Sequence, residues 1–176
     1  MKDKLLQQTK REYSPNQRLV ALAVEAVIFL FVLPFALIAL GSSFDQWLQW
    51  LPIRYEPISL ILGGLLSVAS WLLAIWSIYV QFTLGRGTPV PLMATQKLIV
   101  EPPYTYCRNP MALGAIGMYL GVAILIGSIG AGVLVLLGTT LLLSYIKYVE
   151  EKEMEIRFGQ EYLAYKQRTP FLIPHL

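Results

Sequence analysis

Charge, cysteine and histidine are all scarce in this chain. Only 14% of its 176 residues are Asp, Glu, Lys or Arg, against roughly a quarter in an ordinary soluble domain, which excludes a water-soluble globule. The single cysteine, Cys107, can close no internal disulfide, so the stapled secreted scaffolds are excluded too. The single histidine, His175, removes His-based catalytic triads and multi-histidine metal sites. Fourteen Lys and Arg against eleven Asp and Glu give too weak a basic excess to suggest nucleic acid as a partner. What fills the chain instead is apolar, at 56% of residues, far too much for a disordered tail.

The apolar residues come in long runs. Residues 19–40 contain one charge, Glu25, and residues 58–80 contain none. At 1.5 Å per residue either run crosses a hydrocarbon core of about 30 Å. Residues 111–146 hold no Asp, Glu, Lys, Arg or His, and as one straight helix would reach roughly 54 Å, so this segment must fold back. The glycines Gly127, Gly130 and Gly132 mark the turn and allow the two arms of a tight hairpin to approach closely. Arms of about 16 residues place its tip just short of the far headgroups. The expected fold is therefore an all-α polytopic membrane protein with about four transmembrane helices, a loop over 81–110 and a C-terminal helix. Two parts are expected: residues 1–57, with the first span and an outer segment beginning at Gly41, and residues 58–176.

Cations fix the expected orientation. Lys2, Lys4, Lys10, Arg11 and Arg18 precede the first span, Arg86, Lys97 and Arg108 lie in the loop, and Lys147, Lys152, Arg157, Lys166 and Arg168 follow the hairpin, leaving only Arg54 on the other side. The positive-inside tendency puts both termini and the loop in the cytoplasm, with Asp45 outside. The working groups are then expected on the cytoplasmic face.

Gly85, Gly87, Pro89 and Pro91 cannot continue a helix and predict a fixed loop at the membrane surface. Leu98, Ile99 and Val100 suit a short extended segment, and Pro110 suits the first turn of a helix. Arg108 and Asn109 thereby stand at a helix N-terminus, where unpaired amides favour an anion, although an arginine there also anchors to lipid phosphate. After the hairpin come Glu150, Glu151, Glu153 and Glu155, with Met154, Phe158, Tyr162 and Tyr165 at helical spacing and Gly159 poised to end or kink the helix. Glu153 and Glu155 read as a solvated face. Glu150 and Glu151, where the helix leaves the membrane, need a partner, and Glu25 reads as a structural or snorkelling acid.

The run Gly87 to Pro91, then Leu98 to Val100, Pro103, Tyr104, Tyr106, Arg108, Asn109, Pro110 and Gly114, then Glu150, Glu151, Phe158, Gly159, Tyr162, Tyr165, Thr169 and Pro170 across an apolar hairpin, resembles the isoprenylcysteine carboxyl methyltransferase and phospholipid methyltransferase superfamily. The resemblance covers roughly residues 58–174. It implies an integral-membrane enzyme that takes S-adenosylmethionine from the cytosol and methylates a lipid-borne or lipidated acceptor, with no metal. It further implies that Leu98, Val100, Tyr104, Tyr106, Arg108, Asn109, Gly114, Glu150, Glu151, Phe158 and Tyr162 surround the cofactor, with Arg108, Glu150 and Glu151 closest to the chemistry. Asn109 stands where carboxyl methyltransferases carry a histidine, and Pro102 where a glycine is usual. A carboxylate acceptor needs no base, whereas an ammonium headgroup needs a glutamate to take its proton. The rival readings are a nicotinamide-dependent reductase of the sterol type, with a similar tail pattern, and a non-catalytic lipid-binding scaffold.

Overall fold

A computed structural model describes residues 14–53, 56–85 and 95–174. The glycine-proline loop from Arg86 to Pro91, the N-terminal cations up to Arg11, Arg54 and His175 lie outside the described residues. Among the described residues the chain is helical with no strand, and Leu98 to Val100 are irregular rather than extended in a sheet. Pro15–Trp47, Ile58–Thr83 and Ile129–Phe158 are long and apolar enough to cross a membrane, and Pro110–Ile126 is a shorter apolar helix. The protein is a polytopic membrane protein. Its exposed side chains bear this out, because Leu65, Val68 and Leu72 face outward from the second span where a soluble helix would place charge.

The first long helix starts at α1 (Pro15–Val27), where Ser14 accepts the Gln17 amide and Gln17 reaches back to the Ser14 amide. It continues through a π-helical turn, Ile28–Val32, into α2 (Leu33–Trp47). Pro34 explains the wide turn: it has no N–H for the Leu30 carbonyl and its ring presses on that turn, so one extra residue is accommodated just before it. The Leu33 amide bonds instead to Ile28 O, and Tyr119 donates its hydroxyl to Phe29 O at 2.8 Å. The helix does not stop at Gly41 as the sequence suggests. It runs on to Trp47 because Gly41 lies directly against Ala131, where a Cβ would meet Ala131 Cβ at 2.7 Å.

Helix α3 (Ile58–Thr83) packs along α4 (Pro110–Ile126) through small residues. A Cβ on Gly114 would sit 2.7 Å from Ser70 O, and one on Gly63 would sit 2.8 Å from Gly121 O. Such close backbone approach is the usual glue between helices in lipid, where no hydrophobic gain accrues from pairing two apolar surfaces. The hairpin turns where expected: Gly127 closes α4 at φ 66°, and Ser128 caps α5 (Ile129–Tyr145) by accepting the Ala131 amide at 2.9 Å. Asp45 adds its carboxylate to the same helix start, accepting the Gly130 amide at 2.7 Å.

The two arms are 17 residues each, but the second is not short. A further π-helical turn, Ile146–Glu150, carries it without a break into α6 (Glu151–Phe158), so the helix from Ile129 is 30 residues long. Gly159, at φ 53° and ψ −127°, then redirects the chain into α7 (Gln160–Arg168). The aromatic stripe counted through Gly159 therefore resolves into two separate faces. At this same end Arg18 holds the start of α1 to the end of α3, donating to Phe82 O with its guanidinium 4.3 Å from the Phe82 ring.

Candidate functional site

Pro110 begins α4 as its first helical residue, so Arg108 and Asn109 stand at the helix start beside the π-helical turn of the returning arm. Asn109 does not cap the helix with its side chain. It donates to Phe171 O at 2.9 Å, while the Arg108 amide bonds Pro170 O at 2.8 Å. Arg108 is almost fully committed: Nε and Nη2 donate to Glu151 Oε1 at 3.0 and 2.6 Å, and Nη1 donates to the carbonyls of Lys166 and Thr169 at 2.9 and 2.6 Å. Lys166 Nζ closes the group on the other carboxylate oxygen of Glu151 at 2.7 Å and reaches Glu155 at 2.9 Å. Arg108 and Glu151 are 10% and 5% exposed. This is a clasp that ties the loop, α6, α7 and the terminal segment together.

Around the clasp the tyrosines are neutral donors. Tyr165 donates to Tyr104 O at 2.6 Å, and the Tyr104 hydroxyl bonds Gln81 Oε1 at 3.0 Å. Burial pushes the Tyr162 hydroxyl up to about 12, with the charge of Glu151 adding to the effect. Burial raises Tyr104 and Tyr165 further still, each helped by a neighbouring tyrosine. Hydrogen bonds from Glu151 and Glu155 hold Lys166 above the ordinary lysine range. Cys107, 1% exposed, has its thiol raised by burial, partly offset by a backbone hydrogen bond at Asn109, which marks a packed rather than a nucleophilic sulfur.

Beside the clasp opens a cavity of about 750 Å³, within the range of small-molecule sites. One end is apolar, lined by Leu22, Phe29, Leu30, Trp71, Met118 and Leu142 from the middle of the helices. The other end, among α6, α7 and the loop, is lined by Tyr104, Arg108, Glu150, Glu151, Glu153 and Arg157. Consecutive glutamates ordinarily point about 100° apart on a helix, yet Glu150 and Glu151 both border the cavity, one on each side of the π-helical turn's end.

Of the residues singled out in the sequence, Leu98, Tyr104, Arg108, Asn109, Glu150, Glu151 and Tyr162 line this one cavity. Val100, Tyr106, Gly114 and Phe158 are not among its lining residues. Gly114 is packed on Ser70 and Ala74, and Tyr106 lies edge-on to Trp76 with centroids 6.4 Å apart. Glu153, expected on a solvated face, lines the cavity, and Glu25 is 3% exposed and borders it from α1. Arg157, counted in the sequence only among the cations that set the orientation, is the residue that sequence reasoning missed. Its signal was present, since it follows Glu150 by seven residues and so shares its face to within about 20°.

A family model of phospholipid methyltransferases matches residues 58–161. No curated protein and no solved structure matches the chain. The match begins with α3, takes in the loop and the hairpin, and ends in α7, so it contains the Arg108–Glu151 pair at the centre of the clasp and Tyr104, Glu150, Glu153 and Arg157 at the polar end of the cavity. This membrane chain belongs to the phospholipid methyltransferase family.

Proposed function

We propose that the protein methylates the amine headgroup of a membrane phospholipid with S-adenosylmethionine, at the cytoplasmic face. The observation that carries the reading is the single cavity joining an apolar flank along the middle of the helices to a cluster of carboxylates at the loop end. A lipid needs the first and an ammonium group the second. The donor set also fits the cofactor. Carboxylates suit its ammonium and hydroxyls, aromatic rings such as Tyr104 and Tyr162 suit positive charge, and the volume suffices. When bound, S-adenosylmethionine supplies an electrophilic methyl group on a sulfonium.

The chain's own residues divide the remaining work. Arg108, Asn109, Tyr104, Tyr162 and Glu151 form the wall on which the cofactor rests, held in place by the clasp and the terminal segment. Glu150 makes no hydrogen bond or ion pair with another described residue, whereas both oxygens of Glu151 are engaged. Glu150 is therefore the carboxylate available to take a proton from the attacking ammonium, as a general base must. The apolar flank excludes water and holds the headgroup in line with the methyl group.

The reading is tested with purified protein in dodecyl maltoside. S-adenosylhomocysteine is expected to bind by calorimetry, and phosphatidylethanolamine to be methylated, while NADPH gives no heat. Binding of NADPH in place of S-adenosylhomocysteine would favour the reductase, and binding of neither by folded protein the scaffold.

The face is tested separately in a Cys107→Ser background. In inverted membrane vesicles Lys97→Cys is expected to react at once with an impermeant maleimide and Gln46→Cys only after permeabilisation; both positions are exposed and stand at opposite ends of the bundle. The reverse order would place the site outside.

A further inference from the structure

Arg157 carries a feature that neither the clasp nor the base explains. Its side chain is 4% exposed and borders the cavity. Nη1 lies 3.4 Å from Glu153 Oε1, while Nε and Nη2 are buried without a hydrogen-bond partner among the described residues. Those two nitrogens form one edge of the guanidinium, the side-on fork that grips two oxygens of a phosphate or carboxylate through parallel N–H bonds. Arg108 uses this same edge on Glu151. A buried guanidinium with an open fork is costly alone and calls for an anion.

The face it occupies tells which anion. Glu151 turns toward Arg108 and Lys166, whereas Glu150, the last residue of the π-helical turn, and Arg157 on α6, seven residues apart, share a second face rotated by about 100°. Side chains on a helix lean toward its N-terminus, which draws the guanidinium back to Glu153 and toward Glu150. One face thus offers a carboxylate for an amine and, two turns on, an arginine whose long side chain reaches back along the helix with a fork for an oxyanion. This is the charge pattern of a phosphoethanolamine-type headgroup.

We propose that Arg157 binds the phosphodiester of the acceptor lipid through Nε and Nη2, fixing the headgroup so that its amine meets Glu150. The assignment rests on the reading above, that the acceptor is an amine-bearing phospholipid. It makes Arg157 a substrate-binding residue that separates phospholipids from amine lipids without phosphate.

The test uses the full chain in phosphate-free dodecyl maltoside micelles, with dioleoyl phosphatidylethanolamine and oleylamine as acceptors. Arg157→Gln is expected to raise KM for the phospholipid by about 10- to 100-fold, the loss of one charge-assisted bidentate contact. Turnover of oleylamine and affinity for S-adenosylhomocysteine should stay within about 2-fold. Arg157→Lys, which keeps the charge and loses the fork, should fall between the two and guards against misfolding of the glutamine variant. Retention of dioleoyl phosphatidylglycerol in native mass spectrometry, reduced in Arg157→Gln, reads the phosphodiester without any methyl transfer. If no acceptor is methylated but retention still depends on Arg157, the anion site stands and the methyltransfer reading fails. Lost S-adenosylhomocysteine affinity with unchanged phospholipid KM would give the fork to the cofactor's carboxylate and overturn the proposal. Unchanged KM and unchanged retention would overturn it as well.

Discussion

Arg108→Ala is expected to destabilise the protein by about 3 to 5 kcal/mol, the range for breaking a buried ion pair from one side. The alanine leaves Glu151, 5% exposed, with Lys166 alone, and strips the carbonyls of Lys166 and Thr169 of their donor. Glu151→Gln should cost less, because the amide oxygen still accepts from Arg108 and the terminal carbonyls keep theirs. The two losses will not add. Since the guanidinium and the carboxylate meet at 2.6 Å, the double variant should be more stable than the sum of the singles by about 1 to 3 kcal/mol. Unfolding in mixed micelles of dodecyl maltoside and dodecyl sulfate measures all three. Additivity within about 0.5 kcal/mol would mean that the clasp is not an energetic unit. S-adenosylhomocysteine affinity should fall along with stability in both singles, because the same pair forms a wall of the cavity.

Sequence periodicity and charge carried much of this architecture. The hairpin turn was legible because Gly127 is the residue able to take φ 66° at a helix end, and an apolar run of 36 residues has to turn somewhere. The apposition of Arg108 with the glutamates followed from that turn, since the returning arm must end beside the start of the outgoing one. What was not legible has a common physical cause. The π-helical turn Ile28–Val32 leaves no break in hydrophobicity, so the first helix read as one plain span, whereas Ile146–Glu150 carries Lys147 and Glu150, so the apolar run ended there although the helix goes on. Each inserts part of a turn and rotates everything beyond it relative to a count of 3.6 residues.

Roles within the site were harder to read than positions. Glu150 and Glu151 are adjacent and chemically identical in sequence, and only the partners distinguish them: Arg108 and Lys166 on one, the open cavity on the other. Phe158 and Arg157 show the same limit. The aromatic pattern favoured Phe158, but the backbone reversal at Gly159 decouples α6 from α7, and at the end of α6 it is the arginine, not Phe158, that lines the cavity. The carbonyls of Lys166, Thr169, Pro170 and Phe171, which hold Arg108 and Asn109, carry no sequence signal because any residue supplies a carbonyl.

Glu150→Gln should lower kcat for phosphatidylethanolamine by about 10²- to 10⁴-fold, the usual contribution of a positioned general base. The amide keeps the shape and the hydrogen-bonding capacity of the carboxylate but cannot accept the ammonium's proton, so the nucleophile stays protonated and has no lone pair for the methyl group. Free alkylamines titrate near the lysine value of about 10.4. Activity of the variant should therefore recover as pH rises from 7 toward 9, by roughly tenfold per unit, because solvent does the deprotonation that Glu150 no longer performs. The wild type should show a much flatter profile over that range. Affinity for S-adenosylhomocysteine should change by less than about 3-fold, since Glu151 and the clasp are intact and lie on the other face of α6. Thermal stability should likewise be preserved, as Glu150 makes no hydrogen bond or ion pair with another described residue to lose. A Glu150→Gln enzyme with a third or more of wild-type kcat at pH 7 would remove the base from Glu150. A loss confined to S-adenosylhomocysteine binding would instead make Glu150 part of the cofactor's wall.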